Sequence, residues 1–269
     1  TVTYDVVSVT DATGCTRDAD FTVASVDVSV QEGANGGIVA NPDSICIGED
    51  ISVQIQLPSI GTYDVSFVVG EDAYTWEGIT NGETRTVTPS ASGSLPVELT
   101  MVRDLETGCE RTADFFSEDS AQVNPLPTAS IGVVEDTVCF GSNSAIEFEL
   151  TGTAPFEVVY LDNGTQDTLI AETNEASIAL ENLEENQVFE LVSISDQNGC
   201  GQPVSGEATV LVLPLPEATL ASSETEAICE GESVELTFTL TEGTAPFTVT
   251  YTENGLEESL TVSAGNDTT

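Results

Sequence analysis

Six cysteines recur along the chain with a period of about ninety residues, and this repeat constrains the fold more than any other feature. One series has spacings of 93 and 90 residues and consists of Cys46, Cys139 and Cys229. The other has spacings of 94 and 91 residues and consists of Cys15, Cys109 and Cys200. Two interleaved series that share one period indicate a tandem array of small, similar domains.

The residues around the cysteines repeat with them. Each first cysteine is followed two residues later by glycine, and each second cysteine directly follows glycine in a short segment that begins with aspartate, at Asp11, Asp104 and Asp196. Such segments are typical of hairpin turns, because aspartate bonds its own backbone and glycine tolerates positive φ. The stretch Gly-Thr-Ala-Pro-Phe occurs at 152–156 and again at 243–247.

Apolar and polar residues alternate within each repeat, as at Ile146, Phe148 and Leu150. Strict alternation predicts strands with one buried face and one solvent-exposed face. About seven such strands fall within ninety residues, which is the pattern of an immunoglobulin-like β-sandwich. We therefore expect an all-β chain of tandem immunoglobulin-like sandwiches that form an elongated rod.

The period also predicts the domain boundaries. Residues 1–31 are expected to be the C-terminal strands of a preceding repeat, and residues 214–269 the N-terminal part of a further one. Two full immunoglobulin-like repeats lie between them, at 32–123 and 124–213. We expect the chain to be a segment of a longer array.

The charge balance excludes several classes of partner. The chain has 47 acidic residues and 4 basic ones, all arginine, which gives a net charge of −43. Such a field repels nucleic acid and anionic membrane surfaces, since phosphate binding depends on Lys and Arg. No apolar run approaches the ~20 residues of a membrane-spanning helix, so no membrane insertion is expected.

The missing residue types also argue against catalysis. Histidine and lysine are absent, so Ser-His-Asp triads, Cys-His dyads and Schiff-base lysines cannot form. A catalytic pair of carboxylates cannot be recognised in the sequence, because some pair will lie close together by chance among 47 acidic residues. The sequence thus predicts neither enzyme nor cofactor. Calcium is kept as one candidate, with Asp11, Asp104 and Asp196 as ligands at equivalent turns, although no Asp-x-Asp-x-Asp-Gly loop is present.

An even number of widely spaced cysteines predicts structural disulfides in an oxidising compartment. Three registers are open. The short register joins Cys15–Cys46, Cys109–Cys139 and Cys200–Cys229. The within-repeat register joins Cys46–Cys109 and Cys139–Cys200. The stapled register joins Cys46 of one repeat to Cys200 of the following repeat. The first cysteine should follow the first strand and the second should lie at the last hairpin, at opposite ends of a sandwich. We therefore expect the stapled register, with the within-repeat register as the alternative.

The motifs Ile-Cys-x-Gly, Gly-Thr-Ala-Pro-Phe-Thr-Val-Thr-Tyr, Asp-x-Asn-Gly-Cys and Ser-Gly-x-Ala-Thr-Val resemble those of the immunoglobulin-like or PKD-like repeats of very large Bacteroidota surface proteins. These proteins include gliding-motility-type adhesins exported by type IX secretion. The resemblance covers essentially the whole chain and is clearest over 124–251. It implies an extracellular location on a bacterial surface.

The resemblance implies one modification as well. The triplet Asp, then Ser or Thr, then a small or apolar residue is similar to the O-glycosylation acceptor of exported Bacteroidota proteins. With some matches expected by chance in an Asp- and Thr-rich chain, the candidates are Ser44, Ser120, Thr137, Thr168 and Thr268.

Two functions are compatible with these features. The first is a structural spacer or stalk in an extracellular adhesin or surface fibre, whose partners are the neighbouring repeats of the same chain. The second is a binding module whose faces hold polysaccharide, other cells or other fibre subunits. A sugar site needs exposed aromatic rings, and aromatic residues are only 6% of the chain and fall mostly at predicted buried positions, which favours the spacer.

Overall fold

All regular structure in the computed structural model of the chain is β-strand, within the described residues 1–57, 60–263 and, as backbone only, 266–268. The predicted alternation appears directly as burial. In Ile51–Gln56 every second side chain is buried, and Tyr63–Val69 behaves in the same way. The expected all-β fold is confirmed.

Four short strands precede the first repeat, and all of their side chains are exposed. They are β1 (Val2–Asp5), β2 (Val9–Thr10), β3 (Thr16–Arg17) and β4 (Ser25–Val28). β1 pairs with β4 and β2 pairs with β3, both antiparallel. Cys15 lies in the hairpin between β2 and β3.

The first repeat is a sandwich of two sheets. Its strands are β5 (Gly37–Asn41), β6 (Ser44–Cys46), β7 (Ile51–Gln56), β8 (Tyr63–Val69), β9 (Asp72–Ile79), β10 (Thr84–Val87), β11 (Gly93–Asp104), β12 (Glu110–Arg111) and β13 (Asp119–Asn124). One sheet has the order β10-β7-β5, and the other has the order β6-β13-β11-β8-β9, with β12 added to β11. The pairing of β6 with β13 is parallel and all the other pairings are antiparallel.

The second repeat has the same topology. Its strands are β14 (Thr128–Val133), β15 (Thr137–Cys139), β16 (Ser142–Thr151), β17 (Phe156–Asp162), β18 (Thr165–Ala171), β19 (Glu175–Leu183), β20 (Gln187–Ser195), β21 (Gly201–Pro203) and β22 (Glu207–Leu213). The sheets run β14-β16-β19 and β15-β22-β20-β17-β18, with β21 on β20. Seven strands were predicted here, and the two additional ones, β15 and β21, are three residues long.

The remaining strands correspond to the first part of such a sandwich. They are β23 (Glu217–Ser222), β24 (Leu236–Thr241), β25 (Phe247–Glu253), β26 (Leu256–Val262) and β27 (Asn266–Thr268). β23, β24 and β27 form one antiparallel sheet, and β25 and β26 form a hairpin.

Each full repeat encloses its own hydrophobic core. The first core contains Phe67, whose ring meets Trp76 edge-on at a centroid distance of 4.7 Å. The second contains Phe148 and Phe189 and draws every buried member from between Val138 and Val210. The chain divides into two compact units, residues 1–126 and 127–269. Each repeat therefore buries its apolar residues without borrowing core side chains from the other.

Candidate functional site: the cysteine-bearing ends of the repeats

The two cysteines of a repeat lie at opposite ends of its sandwich. We call the end where the chain enters the repeat the leading end and the end where it leaves the trailing end. In the first repeat, β13 carries the chain to the trailing end at Asn124, and Gly93 at the start of β11 lies beside Val123. β11 then runs twelve residues to Asp104 at the leading end, a rise of about 36 Å.

The first cysteine lies at the trailing end. Cys46 is level with Asn124 in the parallel pair of β6 and β13, and the Ile47 N–H donates to the Asn124 carbonyl at 2.8 Å. The second repeat reproduces this register, with Cys139 level with Leu213 and the Phe140 N–H donating to the Leu213 carbonyl at 2.8 Å. The first cysteine is thus fixed beside the last residue of the last strand.

The second cysteine lies in a hairpin at the leading end. In the second repeat, Asp196 is almost fully buried and organises this hairpin through its carboxylate. One oxygen accepts from the Asn198 N–H at 3.0 Å and the Cys200 N–H at 3.2 Å, and the other accepts from the Thr153 N–H at 3.1 Å. The hairpin is therefore tied both to itself and to the Gly-Thr-Ala-Pro-Phe turn.

The hairpin also contacts the first residue after the linker. The Gln202 side chain donates to the Pro127 carbonyl at 2.7 Å, and a Cβ on Gly152 would come within 3.0 Å of the Pro127 side chain. In the first repeat, the equivalent Arg111 donates through Nε to the Gly33 carbonyl at 3.1 Å. In both repeats the second cysteine is therefore anchored where the chain enters.

The same aspartate turn recurs in the other two hairpins. Asp104 accepts from the Glu106 N–H at 2.8 Å, and Asp11 accepts from the Thr13 hydroxyl at 2.7 Å and the Thr13 N–H at 2.8 Å. The Glu106 N–H holds the pKa of Asp104 below its usual value, and the Thr13 hydroxyl does the same for the pKa of Asp11. Hydrogen bonds to the ionised form are the cause in both cases.

These bonds bear on the predicted calcium ligands. Asp11, Asp104 and Asp196 lie in three separate hairpins, and in each of them turn N–H groups bind the Oδ1 oxygen of the carboxylate. Across residues 1–57 and 60–263, no three Asp, Glu, His or Cys side chains converge as a metal-binding group. Calcium remains a prediction from the sequence, and the geometry of these turns adds no ligand cluster to it.

The described residues divide the cysteines into two groups. Cys46 and Cys200 are half-cystines, whereas Cys15, Cys109, Cys139 and Cys229 carry free thiols. The free thiols of Cys109 and Cys139 do not fit the alternative register, Cys46–Cys109 with Cys139–Cys200, or the short register. For the alternative register the reason is distance, because the length of β11 separates the two ends of one repeat and a disulfide needs Cα atoms within ~7 Å.

One contact near the first cysteines was missed by the sequence analysis. The Cys46 N–H donates to the Glu49 carboxylate at 2.8 Å, and the Cys229 N–H donates to the Glu232 carboxylate at 2.7 Å. The shared spacing of three residues was the available signal. In the second repeat the residue three positions after the cysteine is Ser142, which has no carboxylate to accept such a bond.

The candidate glycosylation residues lie on different strands. Ser44, Ser120, Thr137 and Thr168 are exposed, on β6, β13, β15 and β18 respectively. The Ser44 hydroxyl accepts a bond from the Asn124 side chain at 2.9 Å. The side chain of Thr268 lies outside the described residues. Exposure makes the four described hydroxyls accessible, and their modification stays a prediction.

A cavity of about 620 Å³ lies where the second repeat ends and the following strands begin. Cys139 lines it together with Pro216, Gly243, Thr244 and Phe247. A Cβ on Gly243 would meet Pro216 at 3.0 Å and Phe247 at 3.2 Å. These contacts match those of Gly152 with Pro127 and Phe156, where Asp196 is the third neighbour at 3.2 Å.

Among the described residues, no helix is long and apolar enough to cross a membrane.

Comparison with known proteins identifies no family for the chain. No protein-family model matches the chain, and no curated protein matches it. Among solved structures, a 1.5-MDa bacterial ice-binding adhesin is 18% identical, with 89% of this chain and 87% of that one covered and a TM-score of 0.38. The I67–I69 fragment of titin is 11% identical, with 87% and 89% covered and a TM-score of 0.43. Fibronectin(III)-like modules of Clostridium thermocellum CbhA are 13% identical, with 65% and 94% covered and a TM-score of 0.27.

Proposed function

We propose that the chain is a spacer or stalk segment of an extracellular bacterial adhesin or surface fibre, and that it is not an enzyme. The single observation that carries this proposal is that the two full repeats share one topology while each closes its own core. Domains that need only their sequence neighbours can be added in series, which lengthens the array without changing its parts.

The surface chemistry supports the same role. A net charge of −43 disfavours association of neighbouring fibres unless salt screens it. In the second repeat Phe148, Phe156, Tyr160 and Phe189 are buried and Phe140 is 44% exposed, so this repeat presents one isolated ring and not a row of rings on which sugars could stack. A binding module would need such a platform on an exposed face.

The resemblance of the cysteine and Gly-Thr-Ala-Pro-Phe motifs to Bacteroidota surface repeats supports the location. We propose export through type IX secretion, display on the bacterial surface and O-glycosylation of at least one of Ser44, Ser120, Thr137 and Thr168. The half-cystines Cys46 and Cys200 accord with an oxidising compartment.

A binding experiment separates the spacer from the binding module. The purified chain is offered to a glycan array and to whole bacterial and host cells. A spacer gives no saturable binding, and the same null result for a charge-matched acidic protein serves as the control. Saturable binding that is lost on substitution of one exposed cluster of side chains would reject the spacer in favour of a binding module.

A further inference from the structure

We infer that the first cysteine of each repeat is joined to the second cysteine of the following repeat, so that every junction of the array carries one covalent staple. The inference deepens the proposed spacer role, on which its mechanical meaning rests. The chemistry of the staple itself can be tested whether or not the chain is a spacer.

The first argument is chain connectivity at the junction of the two full repeats. Cys46 lies beside Asn124, the last residue of β13, and the Cys200 hairpin is bonded to Pro127 through Gln202. The three residue steps from Asn124 to Pro127 span at most about 11 Å. Both half-cystines are therefore held close to the two ends of one short linker.

The second argument comes from the cavity at the next junction. In the second repeat, the 196–200 hairpin packs on Thr153: the Gln197 N–H donates to the Thr153 carbonyl at 3.0 Å, and Asn198 donates to its hydroxyl at 3.0 Å. Thr244 is the equivalent of Thr153, and it lines the cavity beside Cys139. A hairpin seated on Thr244 as the earlier one is seated on Thr153 would occupy this cavity.

The occupant of that cavity is thus specified by the repeat itself. It is the second-cysteine hairpin of the third repeat, with the sequence pattern Asp-x-Asn-Gly-Cys. Seated in the cavity, this hairpin would bring its cysteine to Cys139, as the rule requires. By the same rule neither Cys109 nor Cys139 has a partner among the six cysteines of this sequence, in agreement with their free thiols.

Formation of each staple is a two-electron oxidation. One cysteine thiolate attacks a disulfide donor, either an oxidised dithiol oxidoreductase or a low-molecular-weight disulfide, to give a mixed disulfide. The second cysteine thiolate then displaces the donor. The two thiols lose two protons and two electrons, one S–S bond forms in the chain, and the donor leaves as its dithiol or, for a low-molecular-weight disulfide, as two thiol molecules.

The staples would alter how the array carries load. A bond from Cys46 to Cys200 bypasses the 153 residues between them, which include most of both full repeats. Tension would then pass through the staple, and the enclosed strands could not extend. A stalk that holds a cell against drag would keep its length even where individual repeats unfold.

Peptide mapping without reduction tests the pairing on this chain. Free thiols are alkylated first, and the denatured chain is cleaved after its four arginines into 1–17, 18–85, 86–103, 104–111 and 112–269. Cys46, Cys109 and Cys200 then lie on three different peptides. We expect 18–85 linked to 112–269, with a second cleavage at acidic residues assigning the link to Cys200, and alkyl groups on the other four cysteines.

Variants make the result specific. Cys46→Ser and Cys200→Ser should each abolish the linked species, while Cys229→Ser, at an exposed free thiol, should leave it unchanged. A link between 18–85 and 104–111, or alkylation of Cys46 and Cys200 in protein from an oxidising compartment, would overturn the inference. Neither result bears on ligand binding, so failure of the staple and failure of the spacer role are distinguishable.

Discussion

Cys46 lies directly opposite Asn124 in the parallel pair of β6 and β13, so the first cysteine of the repeat stands beside the residue at which its last strand ends. Cys139 and Leu213 have the same relationship one repeat later. The parallel pairing of the short second strand of each repeat with its last strand places one thiol at the trailing end of each repeat.

Loss of a core ring should destabilise one repeat alone. Phe148 is 1% exposed at the centre of the second core, and Phe148→Ala should lower the free energy of unfolding of that repeat by about 3–5 kcal/mol. Phe140→Ala, at a ring that is 44% exposed, is the matched control and should change it by less than about 1 kcal/mol. Hydrogen exchange resolved by repeat measures both. Equal loss of protection in the first repeat would contradict independent cores.

Gly152 cannot carry a side chain without strain. Its φ is +126°, and a Cβ would lie 3.0 Å from Pro127 and 3.2 Å from the Asp196 carboxylate. We expect Gly152→Ala to destabilise the second repeat by about 2 kcal/mol or more. Gly132→Ala is the control, since nothing lies within 4 Å of the added carbon there. Denaturant unfolding compares the two variants, and similar midpoints would show that the turn tolerates the change.

The hairpin of the first repeat should be sensitive to acid. The Glu106 N–H lowers the pKa of Asp104 below 3.8, its ordinary value. The bond therefore stabilises the folded state fully above pH 3.8 and loses this contribution as the pH falls through the folded pKa. Asp104→Asn should be less stable than the wild type at neutral pH, and the difference should shrink below pH 3.8. An unchanged difference down to pH 2 would show that the charge on Asp104 is irrelevant.

Ionic strength should stabilise the chain. With a net charge of −43, repulsion is strong at ~10 mM salt, where the screening length is ~30 Å, and weak at ~1 M, where it is ~3 Å. We expect the melting temperature to rise by several degrees across this range of NaCl. At matched ionic strength, an additional rise in CaCl₂ that disappears in Asp104→Asn would support the predicted calcium site, and equal curves would reject it.

A completed third repeat should form a second staple. In an extended chain, residues 173–213 are appended after 263, which supplies the third repeat with the strands and the Asp-Gln-Asn-Gly-Cys hairpin of the second. The added cysteine should then form a disulfide with Cys139, and Cys139 should lose its reactivity toward alkylation. Replacement of that added cysteine by serine is the control. A disulfide of the added cysteine with Cys229 would contradict the rule.

Much of the fold could be predicted from the sequence because its signals are local. Alternation such as Ile146, Phe148 and Leu150 reports a half-buried strand without knowledge of the partner strand, and the Asp196 turn follows from side-chain bonds to nearby N–H groups. The three-residue strands β15 and β21 were not predicted, because they are too short to show a period.

The site was predictable only in part, because it depends on residues far apart in sequence. The cavity joins Cys139 to Thr244, which are over one hundred positions away, and no spacing rule links them. The pairing of Cys46 with Asn124 likewise depends on a parallel register between two strands that lie far apart in the sequence of the repeat. The position of each cysteine at one end of a sandwich could be inferred from strand order, but the contacts that fix it could not.

Single-molecule stretching of the full chain tests most directly the claim that it is a stapled spacer array. The chain is held at its two ends, and its extended length is measured with and without a reductant. A Cys46–Cys200 staple bypasses 154 residue steps, so reduction should add about 55 nm at ~3.6 Å per step. Cys46→Ser should show the full length in both conditions. The same extended length for the wild-type chain before and after reduction would contradict the account.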